Sequence, residues 1–389
     1  MWVSDQAGLM ELCRCVDRSS IVALDTEFAA ERRYFPRFDL LQIGTPDIAA
    51  AVDVRARLDL GPLFDRLCAP DRTVILHSGS MDLAILYRRE GRVPQRIFDT
   101  QVAAAMLGYG AHIAYSALVR KITGVHLAKS ETLTDWSRRP LKAEQVEYAL
   151  DDVKYLPAVY RYLREELIQA GRLDWLEDEC RRMVSPDRLT PPDPKRAWQR
   201  IGGWRTLSPR QFGVLQTLAA WREELAVAKN VPARVILPDN VLLHLARRQP
   251  TKIRELREIR QIFDRTVKES GEEILRAVRR GIEEPDETTA EAARDALPPE
   301  PPPGLVSLLQ AIIQLRAAEE KVAPNLLASS EDLERLVDDV KSGTPSQVPL
   351  VHGWRRDVAG RDVLHVLSGT ATVQYAPGKE RVLLHYQTR

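Results

Sequence analysis

The chain contains 389 residues, 44% of them hydrophobic and 29% charged, which is the composition of an ordinary soluble globular protein. A formal net charge of +1 excludes a strongly basic surface over the whole molecule, although a local basic groove could still bind nucleic acid. No apolar run is long enough to span a bilayer, and the first residues lack the basic and apolar segments of a signal peptide, so we expect a cytoplasmic protein. The four cysteines form no Cys-x-x-Cys pair, which argues against a structural zinc site.

The amino-terminal third is predicted to form a mixed α/β sheet. Apolar runs predict strands at 21–28, 40–43, 49–54 and 73–76. Helical spacing predicts helices at 4–18, with Ser4 as N-cap, at 58–68 and at 79–89. The turn at 45–47 is short and favours antiparallel pairing of its two flanking strands. The later alternation of strand and helix is typical of a mixed α/β fold.

The rest of the chain is predicted to be mainly helical. Within residues 99–171 helices are expected at 103–107 and 115–123, and the longest helix is expected from Lys142 to Ile168. Ser185–Arg196 contains four prolines and is predicted to be neither a helix nor a central strand, and a second proline-rich linker follows Gly281. Helices at 212–227 and 305–320 each lead into a proline-containing loop and a short acid-led helix, which suggests a duplicated small helical domain.

Two acids stand at the end of the first predicted strand. Side chains alternate along a strand, so Asp25 and Glu27 share a face and lie about 7 Å apart. Two such carboxylates repel each other unless a cation offsets their charge, and oxygen ligands suit a hard divalent ion. Alone, this pattern more often marks a solvated strand end.

Two further positions could complete a metal site. Asp82 follows the fourth predicted strand and lies near the start of a helix. The alternative interpretation is an acid in the first helical turn that the helix dipole stabilises and that binds no metal. Tyr148 and Asp152 are four residues apart and therefore lie on one helical face. A core tyrosine beside a solvated acid is the alternative interpretation of that pair.

The order Asp25-x-Glu27, Asp82, Tyr148-x-x-x-Asp152 resembles the DEDD exonuclease superfamily, in its tyrosine-bearing branch, and within it the ribonuclease D family. The similar segments are Leu24–Phe28, Leu40–Gly44, His77–Asp82, Phe98–Thr100 and Thr134–Leu141. The resemblance covers about residues 1–180. The two helical domains resemble the HRDC modules of that family by pattern and position. Glu147 stands where the histidine-bearing branch carries its histidine, so that branch is disfavoured.

The resemblance implies an α/β RNase H-like exonuclease domain followed by two small all-α, HRDC-like domains. We expect an exonuclease domain at 1–184, linkers at 185–205 and 285–303, and helical domains at 206–284 and 304–389. It also implies a 3′-5′ exoribonuclease that releases nucleoside 5′-monophosphates and trims the 3′ ends of tRNA precursors. We further expect a monomer.

Family resemblance assigns the chemistry to the acidic residues. Asp25, Glu27, Asp82 and Asp152 would hold two Mg²⁺ or Mn²⁺ ions, which can stabilise both the attacking and the leaving oxygen of a phosphodiester displacement. Tyr148 would orient the attacking water, because an ordinary tyrosine pKa near 10 disfavours proton abstraction. Asp151 faces away from Tyr148 and is predicted to be dispensable.

Several residues near these motifs are candidates for substrate contacts. They are Thr26, Phe28, His77, Trp136, Arg138 and Arg139, with Lys129 as a further candidate for phosphate. The aromatic side chains could stack on bases or fill the core, and the basic ones could contact phosphates or remain solvated. A histidine in the position of His77 is more often structural than a ligand, and it is assigned no metal.

The first helical domain carries a cluster of basic residues that could bind structured RNA. These are Arg247, Arg248, Lys252, Arg254, Arg257 and Arg260. Glu255 and Glu258 are interleaved with them, so a solvated helical surface is an equal alternative.

Two other functions remain open at this point: a DNA 3′-5′ exonuclease of the same superfamily, and a non-catalytic RNA-binding protein. The chain contains no helicase or polymerase motif, and all five motif residues are intact, which favours the exoribonuclease.

Overall fold

The computed structural model describes residues 1–127, 135–283, 301–377 and 381–387. Contacts divide the chain into two compact units. The first comprises Met1–Glu27, Phe38–Leu189 and Pro298–Arg389, and the second comprises Phe28–Arg37 and Thr190–Leu297. Among the described residues, no helix combines the length and apolar character needed to cross a membrane.

The first unit is built on a six-stranded sheet. Its strands are β1 (Trp2–Val3), β2 (Ile21–Ala29), β3 (Arg37–Gly44), β4 (Ala49–Asp53), β5 (Thr73–Leu76) and β6 (Ile97–Asp99). Their order is β1-β4-β3-β2-β5-β6. The β3/β4 pair is antiparallel, whereas β1/β4, β2/β5 and β5/β6 are parallel, which confirms the predicted mixed sheet.

Nine helices of the first unit follow or connect these strands in the described residues up to 189. They are α1 (Gln6–Asp17), α2 (Gly61–Leu67), α3 (Ser80–Glu90), α4 (Thr100–Met106), α5 (Tyr115–Thr123), α6 (Ala143–Lys154), α7 (Leu156–Gln169), α8 (Leu173–Met183) and α9 (Pro186–Leu189). A short 3₁₀ turn, Val54–Ala56, follows β4.

Three local predictions are wrong, each for an identifiable reason. The N-cap of α1 is Asp5, whose side chain accepts a hydrogen bond from the backbone N–H of Gly8, and not Ser4. The helix expected from 142 to 168 is interrupted at Tyr155, because Pro157 lacks an N–H and its ring would clash with the preceding turn. The proline-rich segment after 185 does contain a helix, α9, since proline is tolerated in a first helical turn.

The second unit is a helical domain together with the β2–β3 connection. Its helices are α10 (Pro209–Lys229), α11 (Ala233–Ile236), α12 (Asp239–Arg248), α13 (Ile253–Arg257) and α14 (Asp264–Glu283). Short 3₁₀ turns, Pro194–Arg200 and Trp204–Thr206, precede them. Its core gathers apolar residues from all parts of this domain, among them Trp198, Phe212 and Ile274. Tyr34 of the connection donates a hydrogen bond to the buried carboxylate of Glu223.

The carboxyl-terminal part of the first unit is mostly helical. It contains α15 (Leu305–Glu319), α16 (Ser330–Ser342), α17 (Gly353–Arg355), a π-helical turn (Arg356–Gly360) and α18 (Arg361–Leu367), with 3₁₀ turns at Pro324–Leu326 and Pro349–Val351. An antiparallel hairpin, β7 (Ala371–Ala376) and β8 (Arg381–Tyr386), follows, and the all-α expectation did not include it.

This carboxyl-terminal part packs directly on the sheet-containing part of the first unit. Apolar residues of α15 and α16 belong to the same continuous hydrophobic core as residues of the sheet. The indole rings of Trp175 and Trp354 stack with centroids 4.6 Å apart. The guanidinium of Arg355 and the carboxylate of Glu179, both largely buried, pair at 2.6 Å.

Candidate active site

Alternation along β2 directs the two strand acids towards α6. Ala23 packs in a small apolar cluster with Val153 of α6 and Leu156. Residues two apart on a strand share a face, so Asp25 and Glu27 continue along the face that Ala23 occupies. There they meet Asp152, one residue before Val153. Carboxylate oxygens of Asp25, Glu27 and Asp152 all lie within 4.8 Å of one another.

Asp82 reaches the same region from the start of α3. The turn that precedes α3 is tight: a Cβ on Gly79 would lie 2.7 Å from the Cβ of Leu76, so only glycine fits without a shift. Asp99 fixes this turn by accepting hydrogen bonds from the backbone N–H groups of Ser78 and Gly79. The carboxylate of Asp82 is buried and accepts a hydrogen bond from the hydroxyl of Thr26 on β2.

Burial raises the pKa of all four carboxylates, and the neighbouring carboxylates of the cluster raise those of Asp25 and Glu27 further. The pKa of Asp25 is raised well above its usual range by burial first, and then by Asp82, Asp152 and Glu27. Burial followed by Asp152 and Asp82 raises the pKa of Glu27 to about 8. Burial also raises the pKa of Asp82 to about 6, although the Thr26 hydrogen bond opposes this shift. The pKa of Asp152 is raised to about 7 by burial, against a hydrogen bond from Tyr148.

This donor set fits a hard divalent cation. All four groups offer carboxylate oxygens, which Mg²⁺ and Mn²⁺ prefer over softer ligands. A divalent ion would also offset the repulsion that contributes to the raised pKa values of Asp25 and Glu27.

Tyr148 lies beside the acidic cluster on the same helix as Asp152. Burial raises its pKa further above 10, and the nearby Asp152, Glu27 and Asp25 add to the shift. The phenol therefore stays protonated at neutral pH and can donate a hydrogen bond. Its ring centroid lies 6.1 Å from that of Trp136.

Four of the six residues predicted to contact substrate are engaged inside the protein. The Thr26 hydroxyl donates to Asp82. His77 is bound at both ring nitrogens, Nδ1 to the Thr100 hydroxyl at 2.9 Å and Nε2 to the Ile113 carbonyl at 3.1 Å, and burial lowers its pKa. Trp136 is only 7% exposed. Arg139 donates to both carboxylate oxygens of Asp53 at 2.7 Å.

The other two predicted contact residues are more accessible. The side chain of Arg138 is 84% exposed and pairs with Asp135 at 3.2 Å. Phe28 is partly exposed and belongs to the second unit. Lys129, like Thr134 of the motif, lies outside the described residues.

Tyr115 is a residue near the site that sequence reasoning missed. Its hydroxyl donates a hydrogen bond of 2.9 Å to the main-chain carbonyl of Asp151, directly before Asp152. Its ring lies 5.5 Å from that of His77, and its pKa is raised by burial and by Asp152. The contact spans 36 residues and no motif in the sequence indicates it.

Comparisons with known proteins agree with this geometry. A family model described as 3′-5′ exonuclease matches residues 1–168, and a model described as HRDC domain matches residues 211–278. Ribonuclease D of Granulibacter bethesdensis is 37% identical over 371 residues, covering 94% of this chain and 92% of that protein. Ribonuclease D of Gluconacetobacter diazotrophicus is also 37% identical, covering 94% of this chain and 91% of that protein.

Solved structures give the same result. Escherichia coli RNase D, described as an exoribonuclease involved in structured RNA processing, is 28% identical with a TM-score of 0.81, covering 95% of this chain and 98% of that chain. The catalytic core of RRP6 from Trypanosoma brucei shares the fold at 23% identity and a TM-score of 0.57, covering 72% of this chain and 79% of that chain.

The chain is therefore a 3′-5′ exoribonuclease of the metal-dependent DEDD superfamily with an HRDC domain. A DNA exonuclease or a non-catalytic binding protein is not favoured. The resemblance stated from the motifs is confirmed: the chain belongs to the ribonuclease D family.

Proposed function

We propose that Asp25, Glu27, Asp82 and Asp152 hold two divalent ions, Mg²⁺ or Mn²⁺, and that this centre hydrolyses RNA from its 3′ end to nucleoside 5′-monophosphates. The observation that carries the proposal is the convergence of three carboxylates within 4.8 Å, with Asp82 adding to the raised pKa of Asp25. When bound, the ions supply charge stabilisation for the scissile phosphate and a water of lowered pKa.

The protein's own side chains then have separate tasks. The four carboxylates bind the cations, and the Thr26 hydroxyl holds Asp82 in place. Tyr148 orients the attacking water by hydrogen bonding, since its raised pKa disfavours a role as the base. Tyr115 holds the main chain at Asp151 and so positions Asp152.

For the substrate we propose the 3′ ends of tRNA precursors, bound by one copy of the chain in the cytoplasm. The similarity to an exoribonuclease of structured RNA supports this choice. All proposed ligands come from a single chain, so catalysis needs no second copy. In the HRDC domain, Arg247 bonds the Thr206 hydroxyl and Arg248 pairs with Glu258, whereas the side chains of Lys252, Arg254 and Arg260 have no ion-pair partner in the described part of the chain. Those three remain available for phosphates.

The test is cleavage of a tRNA with a 3′ extension, resolved at single nucleotides, with Mg²⁺, with Mn²⁺ and with chelator. We expect metal-dependent stepwise shortening that slows near the mature end. RNA binding without shortening in either metal would contradict the proposed centre. Equal trimming of an unstructured RNA past the corresponding point would contradict the proposed substrate.

A further inference from the structure

A cavity of about 610 Å³ lies within the first unit, beside the start of α3. Its walls come from the β5–α3 turn, from α8 and α9, and from the carboxyl-terminal helical part. This volume is in the range of small-molecule sites. Met81 lines the cavity, but none of the four acids of the cluster does, so the cavity is distinct from the acidic cluster.

The acids that line this cavity are already neutralised or bonded. Asp99 is fully buried and accepts four backbone N–H groups. Glu179 pairs with Arg355 at 2.6 Å and with Arg182 at 3.5 Å. Asp332 accepts from the backbone N–H and the hydroxyl of Ser329.

One cation in the cavity wall has no such partner. Arg188 is exposed, and its guanidinium makes no hydrogen bond or ion pair with any residue that the structure describes. A free guanidinium among satisfied acids favours an anion, and its planar fork of donors matches phosphate oxygens.

The neutral lining adds groups that suit a base and a sugar phosphate. The hydroxyls of Ser78 and Ser80 and the amide of Asn325 make no side-chain hydrogen bond within the described ranges. Hydroxyl and amide groups can bond phosphate oxygens and base edges. Met81, which is 47% exposed, and Met183 offer thioethers, which contact aromatic rings favourably.

We propose that this cavity is a second nucleotide site, distinct from the metal centre. It takes a nucleoside 5′-phosphate unit, with the phosphate at Arg188 and the base against Met81 and Met183. The unit is either a released mononucleotide or a nucleotide of the bound RNA strand. The choice of a nucleotide rests on the exoribonuclease activity of the chain, and the site does not depend on which residues hold the metal ions.

The test is calorimetric titration of the full-length chain in chelator, so that no metal-dependent binding or turnover contributes. The probes are AMP, inorganic phosphate and a single-stranded RNA pentamer. Arg188→Ala removes the free guanidinium, and Asn325→Ala removes the amide. Arg181→Ala is the matched control, because Arg181 is an exposed arginine of α8 that pairs with Asp178 at 2.6 Å and does not line the cavity.

We expect AMP to bind more tightly than phosphate, and Arg188→Ala to weaken AMP at least about tenfold, as for loss of a charged hydrogen bond. Asn325→Ala should weaken AMP but not phosphate, and Arg181→Ala should change neither. If Arg188→Ala weakens binding of the pentamer while AMP does not bind, the nucleotide comes from the RNA strand. An affinity for phosphate equal to that for AMP would overturn the nucleotide site. So would affinities for AMP and the pentamer that Arg188→Ala leaves unchanged.

Discussion

Asp151 and Asp152 are neighbours in sequence with different surroundings. The carboxylate of Asp152 lies within 4.8 Å of those of Asp25 and Glu27. The side chain of Asp151 pairs with Lys154 at 3.9 Å, and its main-chain carbonyl accepts a hydrogen bond from Tyr115. One step along a helix rotates a side chain by about 100°, which separates the two roles.

We predict that Asp152→Asn lowers turnover by about 10²–10³-fold, because it removes a ligand of ions worth several kcal/mol in the transition state. Asp151→Asn is the matched control and should stay within about threefold, as expected for a residue outside the ligand set. Initial rates on a 5′-labelled RNA, with RNA affinity measured in chelator, separate chemistry from binding. Equal losses in both variants would contradict the assignment.

The raised carboxylate pKa values predict how the metal-free protein responds to pH. The folded pKa values of about 6 for Asp82, 7 for Asp152 and 8 for Glu27 exceed the unfolded values of about 4. The folded state thus binds more protons between these limits, so the free energy of unfolding falls as pH rises from about 4 through about 8.

Thermal unfolding from pH 5 to 9 measures this effect, first in chelator and then in Mg²⁺. We expect the midpoint to fall with pH in chelator and to fall less with Mg²⁺, since the ion binds the deprotonated groups. In chelator, Glu27→Gln should make the unfolding midpoint fall less steeply near pH 8, where Glu27 titrates. A midpoint that rises over this range in chelator would contradict the raised pKa values.

The residues of the site lie near the ends of strands and helices, so the bounds of these elements matter for predicting it. The expected strand at 73–76 and the helix at 115–123 are confirmed residue for residue. The break between α6 and α7 was missed because helical spacing continues across Tyr155, and only Pro157 interrupts the hydrogen bonds. The edge strands β1 and β6 contain two and three residues, too few to display alternation.

At the scale of the whole molecule, the carboxyl-terminal part completes the core of the first unit. Trp354 stacks on Trp175, and Arg172 donates to the main-chain carbonyls of Met106 and Glu320. The backbone N–H of Ala323 donates to the carbonyl of Ala105 at 2.9 Å. A chain that ended near residue 185 would expose this apolar surface to water.

We predict that Trp354→Ala lowers the free energy of unfolding by about 3–5 kcal/mol, the usual cost of removing a buried tryptophan. Phe263→Ala is the control, because Phe263 is 74% exposed and its loss should change stability by less than about 0.5 kcal/mol. Denaturant unfolding measures the change in the free energy of unfolding. The protection of α8 from hydrogen exchange shows whether the change is local to this contact. Equal stability of the two variants would contradict a shared core.

The fold class, the family and the five motif residues proposed for catalysis could be predicted from the amino-acid sequence. Local rules place Asp25 and Glu27 on one face through the period of a strand, and Tyr148 and Asp152 through the period of a helix. The family and the place of Asp82 in the set rest on the resemblance of the motifs. Which of the other candidate residues form contacts within the protein became visible only in the folded chain. Arg139 is held by Asp53, 86 positions away, and Tyr115 holds Asp151 across 36 positions. Such contacts form only when distant segments pack together, and no spacing along the chain encodes them.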